Sequence, residues 1–247
     1  MKTADIQPIP NEPALLIKKT KTIIIADLHI GIESELETRG VHVHSQTPPL
    51  LEHFLSLIKK YQPKEILLLG DIKHNIPSMT IQERIDVKRF FEKIMPYAKI
   101  HIVPGNHDGN IRYLLPSSVN LHPSNGCTYN DIGFTHGHRW PDETLLKNRL
   151  LVIGHTHPTI MLTDRLGYKT FEPCWLRGTL SVEKMHERYP DAKTKEIIVM
   201  PAFNPLCGGN AVNTESLIGP MGKIIDIPNA LVYLLDGTCL GKVKDVK

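Results

Sequence analysis

Five short apolar runs in this chain each end in a cluster of Asp, Asn, Gly and His, and that repetition constrains the fold more than any other feature. The runs cover residues 22–26, 66–69, 100–103, 132–135 and 151–153. They lead into Asp27-Leu28-His29, Gly70-Asp71-Ile72-Lys73-His74, Gly105-Asn106-His107-Asp108, His136-Gly137-His138 and Gly154-His155-Thr156-His157. Seven of the thirteen histidines fall in these segments. Short continuous apolar runs read as strands buried on both faces, the habit of parallel sheets. In open α/β sheets, ligands bind in the crevice at the carboxyl ends of the strands. The repetition therefore predicts one crevice crowded with metal-binding side chains.

Between the runs the pattern is helical. Residues 14–17 and 22–26 read as strands joined by a tight turn at 18–21. Pro48 and Pro49 suit a first helical turn, and Leu50, Leu51, Phe54, Leu55 and Ile58 make the apolar face of a helix ending near Tyr61. Strand 65–69 follows; then Thr80 and Glu83 fit a capping box ahead of the stripe Val87, Phe90, Phe91 and Ile94. Strand 99–103 comes next. After residue 119 strands dominate, with only a short helix at 144–149. Segments 159–163 and 169–171 read as a hairpin, 196–200, 223–227 and 231–235 as further strands, and Asp236-Gly237 as a turn. The stretch 203–222, rich in Gly, Asn and Pro, is expected to form a long ordered loop or flap. Two sheets face to face with helices outside accommodate all of this.

At 247 residues the chain is expected to be one domain, 1–247, with its motifs inside 27–157 and mostly strands from 158 to 247. A net charge of +3 is too mild to demand a nucleic-acid partner, though it does not forbid one. The four cysteines form no CxxC pair, and reduced thiols in a cytoplasmic protein are the plain reading. Residues 1–13 lack the apolar core of a signal peptide, and no run approaches the roughly 18 apolar residues of a membrane span. A cytoplasmic chain without a membrane partner is expected, and the oligomeric state stays open.

If the first strand continues through 27–29, Asp27 and His29 point the same way, because strand side chains repeat every two residues. His155 and His157 repeat that geometry. A carboxylate such as Asp71 can bridge two cations with its two oxygens, and Asn106 adds a neutral oxygen. Mixed nitrogen and oxygen donors suit manganese, iron, zinc or nickel better than magnesium or calcium. Two ions about 3.5–4 Å apart would hold a bridging hydroxide and clamp an in-line displacement at phosphorus. His107 is then the candidate proton donor, with Asp108 placed to orient it. Each motif alone has a bland reading: Asp-x-His is common, and Gly-Asn-His-Asp is also a turn. Their succession after five strands makes the metal reading the stronger one. His42, His44, His53, His101, His122 and His186 read most simply as surface or core residues; for His42 and His44, between the first two motifs, lining the cleft is the lesser alternative.

With DxH, GDxxH, GNHD, HGH and GHTH in order, the chain resembles the calcineurin-like metallophosphoesterase superfamily. The segments 26–31, 69–74 and Pro201-Ala202-Phe203-Asn204-Pro205 resemble the archaeal SbcD-related phosphoesterases, a group similar to the bacterial DNA-ligase-associated phosphoesterases. The resemblance implies a four-layer α/β/β/α sandwich of two mixed sheets flanked by helices, with a dinuclear metal site at the strand C-terminal edge. It implies Asp27, His29, Asp71 and His157 on a first ion and Asp71, Asn106, His136 and His155 on a second. His107 would lie over the phosphate, with His138 farther out. Manganese is the first expectation for both ions, with nickel, iron and zinc next. The expected activity is a phosphodiesterase acting on a small, nucleotide-like phosphate ester. The alternatives are a single-strand nuclease and a phosphomonoesterase; the missing basic stripe weighs against processive work on duplex DNA and leaves single-strand cleavage open.

Overall fold

Strict alternation of side chains along the first strands sets the layers of the molecule. The computed structural model describes residues 6–38, 40 and 43–246. Strands β1 (Ile6–Pro8), β2 (Ala14–Ile17), β3 (Thr22–Ile25), β4 (Glu65–Leu69), β5 (Lys99–Val103) and β6 (Asn120–Leu121) form one sheet in that order. Pairing is antiparallel from β1 to β3 and parallel from β3 to β6. Helices α1 (Glu33–Thr38), α2 (Thr47–Tyr61) and α3 (Ile81–Ile94) connect β3 to β5. Ile23, Ile25, Ile66 and Leu68 face α2 and α3 and pack with Phe54, Phe90 and Phe91. Ile24, Leu67, Leu69 and Val103 point to the opposite face, onto a second sheet.

That second sheet holds β7 (Cys127–Tyr129), β8 (Ile132–Thr135), β9 (Leu150–Ile153), β10 (Pro158–Thr163), β11 (Lys169–Thr179), β12 (Glu196–Val199), β13 (Asn210–Ala211), β14 (Leu231–Leu234) and β15 (Cys239–Lys242). Its order is β13-β10-β11-β12-β9-β8-β7, with β14 on the free side of β11 and β15 beside it. Ile132, Phe134, Leu150 and Val152 close the core between the sheets. Leu151, Ile153, Ile197 and Val199 face outward and are covered by Leu145, Met185, Tyr189 and Met221. The expected two mixed sheets are present, and α2 and α3 make one outer layer. The other outer layer is not built of long helices. It consists of short pieces, among them the turn Glu143–Lys147, α4 (Val182–His186) and the turn Pro220–Lys223.

Two local expectations need correction. Residues 223–227 form no strand: Pro220 and Pro228 each start a tight helical turn, and only Ile225 pairs, in a single bridge to Leu180. Proline presets the dihedral of such turns and cannot donate to a ladder. At the start of α3, Thr80 accepts from the Glu83 N–H, as a capping box requires. The Glu83 carboxylate does not return the bond. It accepts instead from the N–H groups of His74 and Asn75, each at 2.8 Å, and so fixes the loop after β4. Among the described residues no helix is long and apolar enough to cross a membrane.

Phe54 is fully buried and sits between Phe90 and Phe203, with ring centroids 6.0 and 5.5 Å away. Phe54→Ala is expected to cost about 3–5 kcal/mol of stability, read as a lower midpoint in urea unfolding at an unchanged slope.

Candidate metal centre

The motif residues lie where the strands end, and the backbone ladder runs on beneath them. Past β3 and β4, the N–H groups of Asp27, His29 and Ile30 donate to the carbonyls of Gly70, Asp71 and Ile72. The residues are nevertheless not extended. Asp27, His29, Asp71, His155 and His157 have φ of 59°, 41°, 48°, 69° and 41°. The expectation that strand alternation aligns Asp27 with His29 and His155 with His157 is therefore wrong. The side chains of these five converge because each of them turns into the left-handed region. That conformation costs a non-glycine residue on the order of 1–2 kcal/mol and persists only where surrounding contacts impose it. Two glycines make the close approach possible. A Cβ on Gly70 (φ +81°) would stand 2.1 Å from His136 Nδ1, and one on Gly105 would stand 2.1 Å from Asp71 Oδ1.

The convergence divides into two groups that share one residue. Ligand atoms of Asp27, His29 and Asp71 lie within 4.8 Å of one another, as do those of Asp71, His136 and His155. His157 joins the first group, its Nε2 3.3 Å from Asp27 Oδ1. In the second, His136 Nε2 is 3.1 Å from Asp71 Oδ2. Asn106 is exposed in the loop after β5. Its neighbour His107 donates its backbone N–H to Asp71 Oδ1 at 2.9 Å.

The chemistry of these groups fits cations. His136 and His157 each donate Nδ1–H to a carbonyl, of Leu69 and Gly208 respectively, at 3.0 Å. Their Nε2 lone pairs are thereby aimed at the carboxylates, the arrangement seen in metal-ligating imidazoles. The Nε2 atoms of His29, His136 and His157 are buried without a hydrogen-bond partner. Burial would raise the carboxyls of Asp27 and Asp71, yet the imidazoles around them bring both below the ordinary carboxylate range. Burial works against protonating His136, but Asp71 and Asp27 hold it up to about 9. His29 and His155 are pushed down by burial to about 3 and about 4, so they stay neutral, as ligands must. Protons and cations compete for the same negative pocket.

The surrounding residues take roles that the sequence left open or misassigned. Asp108 does not orient His107. It clamps backbone, accepting from the N–H groups of Ile72, Lys73 and Gly105, and burial raises it to about 6. His107 Nδ1 pairs instead with the carbonyl of His74. His74 in turn bridges His29 and Glu35, with Nδ1 3.1 Å from His29 Nδ1 and Nε2 3.0 Å from Glu35 Oε2. His138 accepts from Arg139 Nε and stands with its ring 5.3 Å from that of His136. His44 is exposed and lines a separate pocket with Glu33 and Asp86, so it does not line the cleft; His42 lies outside the described residues. His53 pairs with Glu12, His101 stacks on His122, and His186 meets the carbonyl of Ala192.

The loop 203–222 is a flank of the site. Its backbone is bound under the first motif by Phe203 N–H to Ala26 O and by Asn204 side-chain N–H to Leu28 O. Cys207 brings its sulfur within 4.8 Å of the ligand nitrogens of His29 and His157. Gly219 lies against His155. Sequence reading singled out this stretch by composition but had no signal for its position; Cys207, Gly208 and Glu35 were missed.

Gly105→Ala is expected to leave a folded chain by circular dichroism while displacing Asp71. Calorimetric titration with manganese should then show at least tenfold weaker binding, and unchanged affinity would mean that Asp71 is not a ligand.

Residues 20–192 match the family described as calcineurin-like phosphoesterases. Among solved structures, the nuclease MPE of Pseudomonas putida is 18% identical and superposes with a TM-score of 0.59, over 94% of this chain and 97% of its own. YfcE, a phosphoesterase from E. coli, is 16% identical with a TM-score of 0.42, over 90% and 97% of the two chains.

Proposed function

The chain belongs to the calcineurin-like phosphoesterase family and is a hydrolase of phosphate esters, and from that premise we propose a metal-dependent phosphodiesterase acting on a small, nucleotide-like diester. The observation that carries the reading is Asp71, common to two groups of buried ligands, with His107 bonded to it. Asp27, His29, Asp71 and His157 are assigned to one ion, and Asp71, Asn106, His136 and His155 to the other. Transition metals suit these donors, manganese first at the carboxylate-rich positions. Two such ions would supply positive charge to the phosphoryl oxygens and an acidified water as nucleophile.

The chain's own groups do the rest. The Asp27 and Asp71 carboxylates provide the negative charge that selects cations. Backbone N–H groups of His155 and His107 donate to these two carboxylates and fix which oxygens face the cleft. His107, held through Nδ1 by the His74 carbonyl, presents Nε2 to the leaving oxygen and can donate a proton there. Such a donor serves a poor alkoxide leaving group of either a diester or a monoester.

A second reading, a single-strand nuclease of SbcD-related type, draws on one observation. A groove of about 410 Å³ adjoins the loops of His74 and His107, with Arg84, Lys88 and Tyr113 along it, and Tyr113 is 84% exposed. Cationic residues beside an exposed aromatic ring suit a backbone with stacked bases.

With manganese and bis-p-nitrophenyl phosphate, His107→Ala should keep both ions and lose roughly 10²- to 10⁴-fold in kcat. Loss of bound metal in that variant would make His107 a ligand instead. Asp71→Asn should lose metal and turnover together, and EDTA should inactivate the parent chain, with manganese or nickel restoring it and calcium not. In a panel of cyclic nucleotides, linear diesters, monoesters and single-stranded DNA, preference for monoesters would defeat the diesterase reading. Preference for DNA, lost on Tyr113→Ala, would select the nuclease.

A further inference from the structure

Sulfur is the donor that the paired-cation reading leaves out. Cys207 stands at the first cation position, where its Sγ and one nitrogen each of His29 and His157 lie within 4.8 Å of one another. His29 is 4% exposed, and its Nε2 has no hydrogen-bond partner. The thiol's hydrogen bond is a long one, 3.8 Å to the carbonyl of Asp27. It is not carried on a wandering loop. Cys207 N–H donates to the carbonyl of Asn204, whose side chain is anchored on Leu28 O. Gly208, the next residue, accepts from His157 Nδ1 and orients that ring. Sulfur and imidazole are thus placed by the same short stretch of chain.

We infer that Cys207 is a thiolate ligand of the first ion, alongside Asp27, His29 and His157. The inference rests on the metal-centre reading above and adds a donor to it. A cation with a sulfur at about 2.3 Å and imidazole nitrogens at about 2.0–2.1 Å needs them some 3.5 Å apart. Spacings of no more than 4.8 Å require closure by at most about 1.3 Å, within reach of side-chain rotation at Cys207. A thiolate makes the two positions unlike. The first, with sulfur and two imidazoles beside the shared Asp71, favours zinc, cobalt or iron(II), and the second, without sulfur and with the Asn106 oxygen, keeps its taste for manganese. Metal binding replaces the S–H proton, which leaves to solvent.

Cobalt(II) tests this without any substrate. The parent chain loaded with cobalt should show visible ligand-field bands together with a near-ultraviolet thiolate-to-cobalt charge-transfer band. Cys207→Ser should lose the charge-transfer band and keep visible bands, and Cys239→Ser, at an exposed thiol, should change neither. In the parent chain, zinc should protect Cys207 from alkylation, as mapped by mass spectrometry, so the test does not depend on the variant folding. Visible bands without a charge-transfer band, or a charge-transfer band that survives Cys207→Ser, would overturn the thiolate while leaving the metal centre standing. Alkylation of Cys207 undiminished by zinc would overturn it as well. No cobalt bands at all would sink the thiolate and the metal-centre reading together.

Discussion

Two carboxylates buried side by side, Asp27 and Asp71, govern the rest of this structure. Their exposures are 0% and 2%, and unpaired charge at such depth costs several kcal/mol per group. Everything around them supplies compensation. Backbone N–H groups of His155 and His107 donate to them, and the imidazoles of His136 and His157 point nitrogen at their oxygens. The strained backbone at five motif residues is tolerated because it brings that compensation within reach. Glycine at 70 and 105 follows from the same demand, since any side chain there would occupy the space of His136 or Asp71.

The fold was legible to the extent that it is local. Continuous apolar runs located the parallel strands, proline and threonine located the helix starts, and the order of motifs located the crevice. What escaped was decided by residues outside the run being read. Residues 223–227 are apolar enough for a strand, yet prolines on either side turn them into helical steps. Glu83 has the spacing of a capping box, but two amides in the loop after β4 claim its carboxylate. The thin outer layer over the second sheet has no periodic signature, because pieces of five residues or fewer carry none.

The convergence of the candidate site was legible, but the mechanism of its assembly was not. The seven residues Asp27, His29, Asp71, Asn106, His136, His155 and His157 were named from their motifs. The structure gathers six of them into the two groups, with Asn106 exposed beside them. The reason first offered, alternation along a strand, does not hold, since the dihedrals are left-handed. Asp108 was paired with His107 by adjacency, whereas its oxygens lie on three amides across two loops. Cys207 was invisible because it follows the last motif by 50 residues and returns to the site only through bonds to Ala26 and Leu28.

Asp27 and Asp71 rise from the first sheet and His136, His155 and His157 from the second, and beneath them the two sheets pack hydrocarbon on hydrocarbon at Leu67, Leu69, Phe134 and Val152. An ion held from both sides would act as a rivet through the sandwich. Its occupancy would enter the unfolding equilibrium as RT ln(1 + [M]/Kd), and the durability of this protein would then be indexed to the supply of free metal. A cell starved of the ion would lose catalyst twice over, once through idle sites and again through chains that come apart.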